Sequence, residues 1–311
     1  MKNSTPNNHD LIVILGPTAS GKTQLSVQLA NQLNGEIISA DSRQVYKGMD
    51  IGTGKDLNEY KIKGKQIPYH LIDIIAPNED YSVFQFQKDF QKEFINIQKR
   101  KKMPFLCGGT GLYIKSILMN FHLPLVPPNK KLRNELENWK YEKLIKELDS
   151  ISSNASKIHL VDTKRRIIRA IELELNKKKR KEKHSNSSLV QKIKNPLFIG
   201  IDYPREIIRD RITKRLYERI NQGMILEVKN LLSNGISYAK LDSFGLEYRF
   251  ISHYLAGKMN KQEMIEKLNI AIHQFCKRQM TFFRNMEKNG IIINWIPKGD
   301  INQILDLITN S

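Results

Sequence analysis

Between Gly16 and Thr23 the chain reads Gly-Pro-Thr-Ala-Ser-Gly-Lys-Thr, directly behind the apolar run Leu11–Leu15. A Gly-x-x-x-x-Gly-Lys-Thr spacing between a strand and a helix makes a phosphate cradle. Its backbone N–H groups and the following helix N-terminus favour an anion, Lys22 adds a point charge, and Thr23 can reach a magnesium ion. Gly16, Pro17, Thr18, Ala19, Ser20, Gly21, Lys22 and Thr23 are therefore the expected phosphate ligands, with Thr23 on the metal. The loop reads only phosphates. Most chains that carry it hold ATP or GTP, and the rest of the sequence has to identify the ligand.

A nucleoside triphosphate would call for a second apolar strand ending in a magnesium-binding aspartate. Asp73, in "IPYHLIDI", lies in a mixed polar setting, and the strand "MPFLC" runs into Gly-Gly-Thr instead of a carboxylate. The carboxylate at a strand end is Asp41, in "EIISAD". At the C-terminal edge of a parallel sheet it faces the same crevice as the phosphate loop. It can serve there as a general base, a magnesium partner or a cap for the next segment.

These groups need a frame. Leu11–Leu15 reads as a buried parallel strand, and Leu25, Leu29 and Leu33 mark a helix ending near Asn34-Gly35, before "EIISAD". "MPFLC" and "PLFIGID" are further strands, the latter followed by a helix opened by Pro204. Strands alternating with helices predict an α/β fold, a parallel sheet flanked by helices. From about Ser116 to Pro196 the strands stop. "PNKKLRNELENWKYEKLIKEL" and "DTKRRIIRAIELELNKKK" read as helices, "LPLVPP" as the connection into them, and "NKKKRKEKHSNSS" as an exposed basic loop. An all-helical subdomain, 116–196, is thus expected inside a core made of 1–115 and 197–311. Lys261 to Glu287 reads as a long helix with Met264, Leu268, Ile272 and Phe275 on its apolar face.

The 311 residues hold 51 Lys+Arg against 32 Asp+Glu, a formal charge of +19. Such an excess points to a polyanionic partner, nucleic acid or an acidic membrane surface, ahead of mere solubility, because many of the cations are Arg in helical register. Cys107 and Cys276 lack metal-ligand spacing and read as reduced thiols of a cytosolic protein. No apolar stretch has the length of a membrane span, and the polar first ten residues lack a signal-peptide core. A soluble cytoplasmic protein is expected. His70, His122, His159 and His273 are isolated and receive no role.

"DSRQVYKGMDIGTGK" followed by "CGGTGLY" resembles the tRNA dimethylallyltransferase family, the isopentenyltransferases that prenylate adenosine beside the anticodon. The likeness continues through "DTKRRIIRAIE", "RITKRLYERI" and "KRQMTFFRN", from Leu11 to about Trp295, and these segments in this order are far more specific than the loop alone. It implies a P-loop NTPase-like fold whose cradle holds the diphosphate of dimethylallyl diphosphate. The reaction would place the dimethylallyl group on N6 of adenosine 37 of tRNA and release diphosphate. A magnesium ion is implied as cofactor, the anticodon stem-loop as partner, no membrane, and a monomer. The absence of a zinc-finger pattern near the C-terminus matches the bacterial type, and Phe282 stands where relatives often carry Trp.

By the same resemblance Asp41 is the base at the adenine, Thr110 contacts the reacting centre and Arg215 contacts the diphosphate. In the helix after Pro204 an Arg211–Arg215–Arg219 stripe runs beside the apolar stripe Ile208, Ile212, Leu216 and Ile220. Only Arg215 falls on the family motif, so Arg211 and Arg219 are read as ordinary surface charges. The turn Asp41, Ser42, Arg43 and Gln44, together with Thr110, would face the RNA. Arg133, Arg165, Arg166 and Arg169 of the insertion would meet its backbone, and Lys277, Arg278 and Gln279 form a third contact segment. Competing readings are a prenyltransferase acting on free adenylate, an ATP-dependent small-molecule kinase, and a non-catalytic RNA-binding protein. The basic insertion disfavours the first and the missing acidic strand end the second. The third leaves Asp41, Thr110 and the cradle without a purpose.

Overall fold

A computed structural model describes residues 9–118, 126, 128–179 and 193–309. Much of "LPLVPP" and the Lys-rich stretch beyond 179 lie outside the described residues. The chain divides into two compact units, Met1–Phe121 with Val190–Ser311, and His122–Leu189. The second unit falls inside the segment 116–196 read from the sequence and is shorter at both ends.

The first unit opens with strand β1 (Leu11–Leu15), helix α1 (Lys22–Gln32) and strand β2 (Gly35–Ser39). A 3-10 turn, Leu57–Tyr60, and a small hairpin of β3 (Lys61–Ile62) and β4 (Lys65–Gln66) precede β5 (Tyr69–His70). Helix α2 (Val83–Lys99), strand β6 (Met103–Gly108) and helix α3 (Gly111–Leu118) complete this half. Helices α4 (Lys130–Glu137), α5 (Tyr141–Ile151), α6 (Ala155–Ile158) and α7 (Lys164–Lys179) make up the second unit. The chain then returns through β7 (Pro196–Asp202), α8 (Arg205–Asn221), α9 (Met224–Ser233), α10 (Tyr238–Phe244) and α11 (Leu246–Leu255). The long α12 (Lys261–Lys288), β8 (Asn294–Pro297) and α13 (Ile301–Thr309) end it.

Six strands form one sheet in the order β5-β2-β6-β1-β7-β8, every pairing parallel. Although β1 and β2 are joined by α1, they are not neighbours, because β6 is inserted between them. The chain therefore turns one way after β1 and the other way at β7. Ligands of such sheets sit at the C-terminal edge where the order reverses.

Period-two alternation splits the core in two. Leu11, Val13 and Leu15 point to the face packed by Phe86, Phe90 and Phe94 of α2, Ile114 of α3 and Phe283 of α12. Ile12 and Ile14 point to the other, with Leu25 and Leu29 of α1 and Ile304 and Ile308 of α13. All five residues of β1 are fully buried, as the unbroken apolar run requires. Helix α1 ends two residues earlier than its Leu spacing suggests. Asn34 takes a left-handed φ of 52°, and Gly35 starts β2, where a Cβ would lie 2.5 Å from the Phe105 ring. A third core, built by α8, α9, α11 and α12, backs the segment Val45–Met49. Among the described residues no helix is long and apolar enough to cross a membrane.

In the second unit, the stretch "NKKLRNELENWKYEKLIKEL" forms two helices, broken at Asn138–Lys140. Leu136, Leu144, Leu148, Ile167 and Ile171 make its core. At its centre the Glu172 carboxylate is completely buried and bound bidentately by Arg133, at 2.7 and 2.8 Å, by Arg169 at 2.8 Å and by the Asn129 N–H at 2.8 Å. Burial alone would raise the carboxyl pKa, but the hydrogen bonds from Arg133 and Arg169 outweigh it and hold it below the usual range. Replacing Glu172 by Ala leaves two cations facing each other. It should destabilise this unit by about 2–3 kcal/mol, less than a fully buried pair because each arginine is about one-third exposed. Hydrogen exchange should accelerate across α4 and α7 and stay unchanged in the sheet of the first unit. The depressed pKa also means that the stabilisation holds above the ordinary carboxyl pKa and is lost as pH falls through the folded value.

Candidate active site

A cleft of about 650 Å³ opens at the C-terminal edge of the sheet. Its floor is the phosphate loop, closed between β1 and α1 by a left-handed Gly21 (φ 82°), with Ala19 also at positive φ, 64°. Thr18, Ala19, Gly21, Lys22 and Thr23 line the cleft, while Gly16, Pro17 and Ser20 lie beneath. Gly16 is buried, and a Cβ there would sit 2.9 Å from the Ser20 hydroxyl. The Lys22 ammonium donates to the Pro17 carbonyl at 2.7 Å. Burial pushes its pKa down to about 8; the neighbouring Arg215 guanidinium adds to that, and Cys107 and Asp41 partly oppose it.

The next two strands deliver the remaining groups of the sequence motif. Gly108, at the end of β6, packs so tightly on the chain after β2 that a Cβ would lie 2.3 Å from the Ala40 carbonyl oxygen. That approach brings Thr110 to the Asp41 turn: the Thr110 N–H donates to the Ala40 carbonyl at 3.2 Å, and its hydroxyl oxygen accepts the Ser42 N–H at 3.1 Å. Asp41 itself does two things. Oδ1 accepts the N–H groups of Arg43 at 2.9 Å and Gln44 at 3.4 Å, capping the turn, and the residue lines the cleft. The capping and catalytic readings of this aspartate are thus compatible in one geometry.

Helix α8 forms a cationic wall. The Arg215 guanidinium hydrogen-bonds the Thr18 hydroxyl, fastening α8 to the phosphate loop. Burial, with Arg219 alongside, lowers its pKa to about 10, so it keeps its charge at neutral pH. Arg219 and Arg211, read from the sequence as ordinary charges, both line the cleft. Arg219 is buried, pairs with Asp56 at 3.4 Å and fills the space where Gly54 lacks a side chain. Arg211 lies 4.2 Å from the Tyr203 ring centre. The i+4 spacing in "RITKRLYERI" signalled the shared face; what the sequence could not supply was the acidic loop that meets it.

Several expected RNA ligands are engaged within the protein. Gln279 is buried on α12 and bridges the cleft, accepting the Thr18 N–H at 2.9 Å and donating to the Gly109 carbonyl at 3.0 Å. Arg43 lies 5.3 Å from the Phe275 ring centre and 3.5 Å from Glu247, and its guanidinium occupies the space beside Gly245. Arg133 and Arg169 hold Glu172, while Arg166 is exposed and pairs with Asp162 at 2.5 Å; Arg165 is exposed. Arg278 lines the cleft, and Lys277 is exposed on α12 outside it. Asp73, the weak candidate for a magnesium-binding strand end, instead contacts the ammonium of buried Lys55. No cluster of three or more His, Cys, Asp or Glu residues suited to a metal occurs among the described residues. The cleft is lined by the carboxylates Asp41, Asp56, Glu59, Glu218 and Glu247, and by the Thr23 hydroxyl of the phosphate cradle. With no three such groups gathered into a cage among the described residues, the donor set suits a magnesium ion carried by a phosphate ligand, which needs few protein donors.

Residues 44–286 match the family described as IPP transferase, and residues 9–70 match that described as Isopentenyl transferase. A tRNA dimethylallyltransferase 1 from Azobacteroides pseudotrichonymphae is 49% identical over 302 residues, covering 96% of each chain. A tRNA dimethylallyltransferase 2 from Phocaeicola vulgatus is 48% identical over 96% of this chain and 98% of its own. Among solved structures, the full-length tRNA isopentenylpyrophosphate transferase of Bacillus halodurans superposes with a TM-score of 0.70 at 34% identity, over 96% of this chain and 95% of that one. A eukaryotic dimethylallyltransferase acting on tRNA gives a TM-score of 0.74 at 24% identity, a likeness of fold, over 94% of this chain and 75% of that one.

The lowered Lys22 pKa makes anion binding depend on pH. A bound diphosphate favours the charged amine, so above about pH 8 binding must take up a proton, and affinity should fall by up to about tenfold per pH unit. Below that value Lys22 is already charged and contributes no slope. Calorimetric titration with inorganic diphosphate, compared with Lys22→Arg, isolates the effect, because arginine stays charged throughout and should remove the Lys22 share of the slope.

Proposed function

The chain belongs to the IPP transferase family and is nearly half identical to tRNA dimethylallyltransferases, and from that premise we propose how its cleft performs the reaction. The protein is an enzyme that prenylates adenosine in tRNA. The donor in this reading is dimethylallyl diphosphate and the acceptor is N6 of the adenosine at position 37, beside the anticodon. The observation that carries the assignment is the hydrogen bond of Arg215 to Thr18, which fastens a second cation to a cradle that already holds Lys22. A diphosphate leaving group needs its charge met on both sides, and this pairing supplies it.

In the proposed step N6 attacks C1 of the allyl group as the C1–O bond breaks. The bonding electrons leave with the diphosphate, and one N6 proton passes to Asp41. The loop amides, Lys22 and Arg215 stabilise the charge that develops on the departing oxygen, and they are oriented before it appears. Asp41 Oδ1 is held by the Arg43 and Gln44 N–H groups, which fixes the carboxylate while Oδ2 stays outside those bonds. Thr110 is tied to the Ser42 N–H and so lies beside the same carboxylate's turn. Thr23 would hold a magnesium ion, which would supply further charge neutralisation on the diphosphate.

For RNA backbone contact the exposed Arg165, Arg166 and Lys277 and the cleft residue Arg278 are the favoured cations. Arg133, Arg169 and Gln279 act as internal braces in this reading. The chain works as a monomer in the cytoplasm. The competing kinase reading would need an acidic strand end to hold magnesium; Asp73 is occupied with Lys55, and Asp41 serves as the base in this reading.

Labelled dimethylallyl diphosphate, incubated with unmodified tRNA and magnesium but no ATP, should deliver label to adenosine 37. ATP consumption in place of label transfer would return the cradle to a kinase. Asp41→Asn keeps the Oδ1 acceptor of the turn and removes the base, so kcat should fall by about 10²–10⁴-fold while diphosphate binding persists; unchanged turnover would remove Asp41 as the base. Filter binding should show tRNA affinity falling by at least about tenfold between roughly 50 and 200 mM salt, since each phosphate contact releases a counterion. A flat response would assign the +19 charge to something else.

A further inference from the structure

One wall of the cleft is the loop Gly52-Thr53-Gly54, which meets α8 at Arg219. It is held from behind by Glu227, in the first turn of α9. Glu227 Oε2 accepts the N–H groups of Asp50 and Ile51, both at 2.7 Å, and Oε1 accepts the N–H of Gly52 at 3.0 Å and the Tyr248 hydroxyl at 2.7 Å. Both carboxylate oxygens are thus used twice, by three consecutive amides and a phenol. Tyr248 is fully buried, and burial together with Glu227 raises its pKa, so its hydroxyl remains a donor. The ring itself sets the loop: a Cβ on Gly52 would lie 2.7 Å from the phenol.

The held backbone leads straight to the chemistry. The Gly54 carbonyl accepts Gln44 Nε2 at 3.0 Å, and Gln44 closes the Asp41 turn. Gly54 has φ +64°, and the space beside its Cα is taken by the Arg219 guanidinium, 1.8 Å from where a Cβ would stand. Arg219 lies one helical turn beyond Arg215 and shapes its electrostatics. A shift of the 50–52 amides is therefore passed through Gly54 to both the base turn and the cationic wall.

We propose that Glu227 and Tyr248 are a positioning pair for prenyl transfer: acting through the backbone of Asp50–Gly54, they hold Gly54 against Arg219 and Gln44 and so set the cleft that receives the adenosine. This rests on the reading of the cleft as the prenyl-transfer site. Neither residue lines the phosphate loop, which is fastened separately by Gln279 and Arg215. The pair should therefore govern turnover without governing diphosphate binding.

The test compares wild type, Glu227→Gln and Tyr248→Phe. A glutamine must turn its NH2 toward at least one backbone N–H whichever way its amide lies, while the phenylalanine keeps the ring and removes one donor. Hydrogen exchange should accelerate at the amides of residues 50–52 in Glu227→Gln. Its kcat for label transfer into tRNA should fall by about ten- to a hundredfold, with inorganic diphosphate binding unchanged, and Tyr248→Phe should show a smaller loss of the same kind. A lower melting temperature with wild-type kcat below it would reduce the pair to a brace and overturn the inference. So would loss of diphosphate binding in step with kcat. Should Glu227→Gln not fold, Tyr248→Phe is judged by the same criteria. Absence of transfer by wild type would overturn the functional reading and this inference with it; equal transfer by all three overturns the inference alone.

Discussion

The close approach of two strand ends governs the site. Because β6 is inserted between β1 and β2, its last residue, Gly108, rests on the Ala40 carbonyl with no room for a side chain. That contact sets Thr110 beside the Asp41 turn and sets both beside the phosphate loop that leaves β1. The crossing order of the sheet, not any local preference, decides that three segments far apart in sequence share one edge. Gln279 then spans from Thr18 to Gly109 and fixes the loop of β1 against that of β6.

On this frame the protein collects cations at a cost in solvation. Lys22 and Arg215 both have their pKa lowered chiefly by burial, and each counts the other or Arg219 among the causes. Cations desolvated side by side are unfavourable in the free protein. They become favourable when an anion of matching charge enters the cradle. Asp56 and Glu247 offset part of the repulsion from the cleft wall. Burial and the neighbouring Asp56 raise the Glu59 pKa, so that carboxyl carries its charge less readily. The cleft is thereby left electropositive without being an unpaired cluster.

The insertion unit shows the other use of basic residues. Arg133 of α4 and Arg169 of α7 are both expected from the sequence to face RNA, yet their guanidiniums converge on Glu172 inside the unit. Helical spacing had put Arg165 and Arg169 on neighbouring positions with nothing to tell them apart. The difference is that Glu172 lies one turn beyond Arg169 and is fully buried, so the arginine nearest it is drawn inward while Arg165 stays exposed. A count of positive charges overstates the surface available to a polyanion for this reason.

Much was legible along the chain because it depends on near neighbours. The apolar run before Gly16, the Gly-x-x-x-x-Gly-Lys-Thr spacing, the Lys261 helix and the alternation of strands with helices are local patterns, and the α/β parallel sheet followed from them. The motif order from Asp41 to Arg284 was enough to indicate the family. Only the tertiary structure decided that β6 parts β1 from β2, that Arg219 is a wall of the cleft, and that Gln279 is a bridge. Glu227, more than 170 residues from the amides it gathers, carries no signature in its own stretch of sequence. Periodicity reports which face of an element is buried, whereas the partner waiting at that face comes from a distant segment and is fixed only when the chain closes on itself.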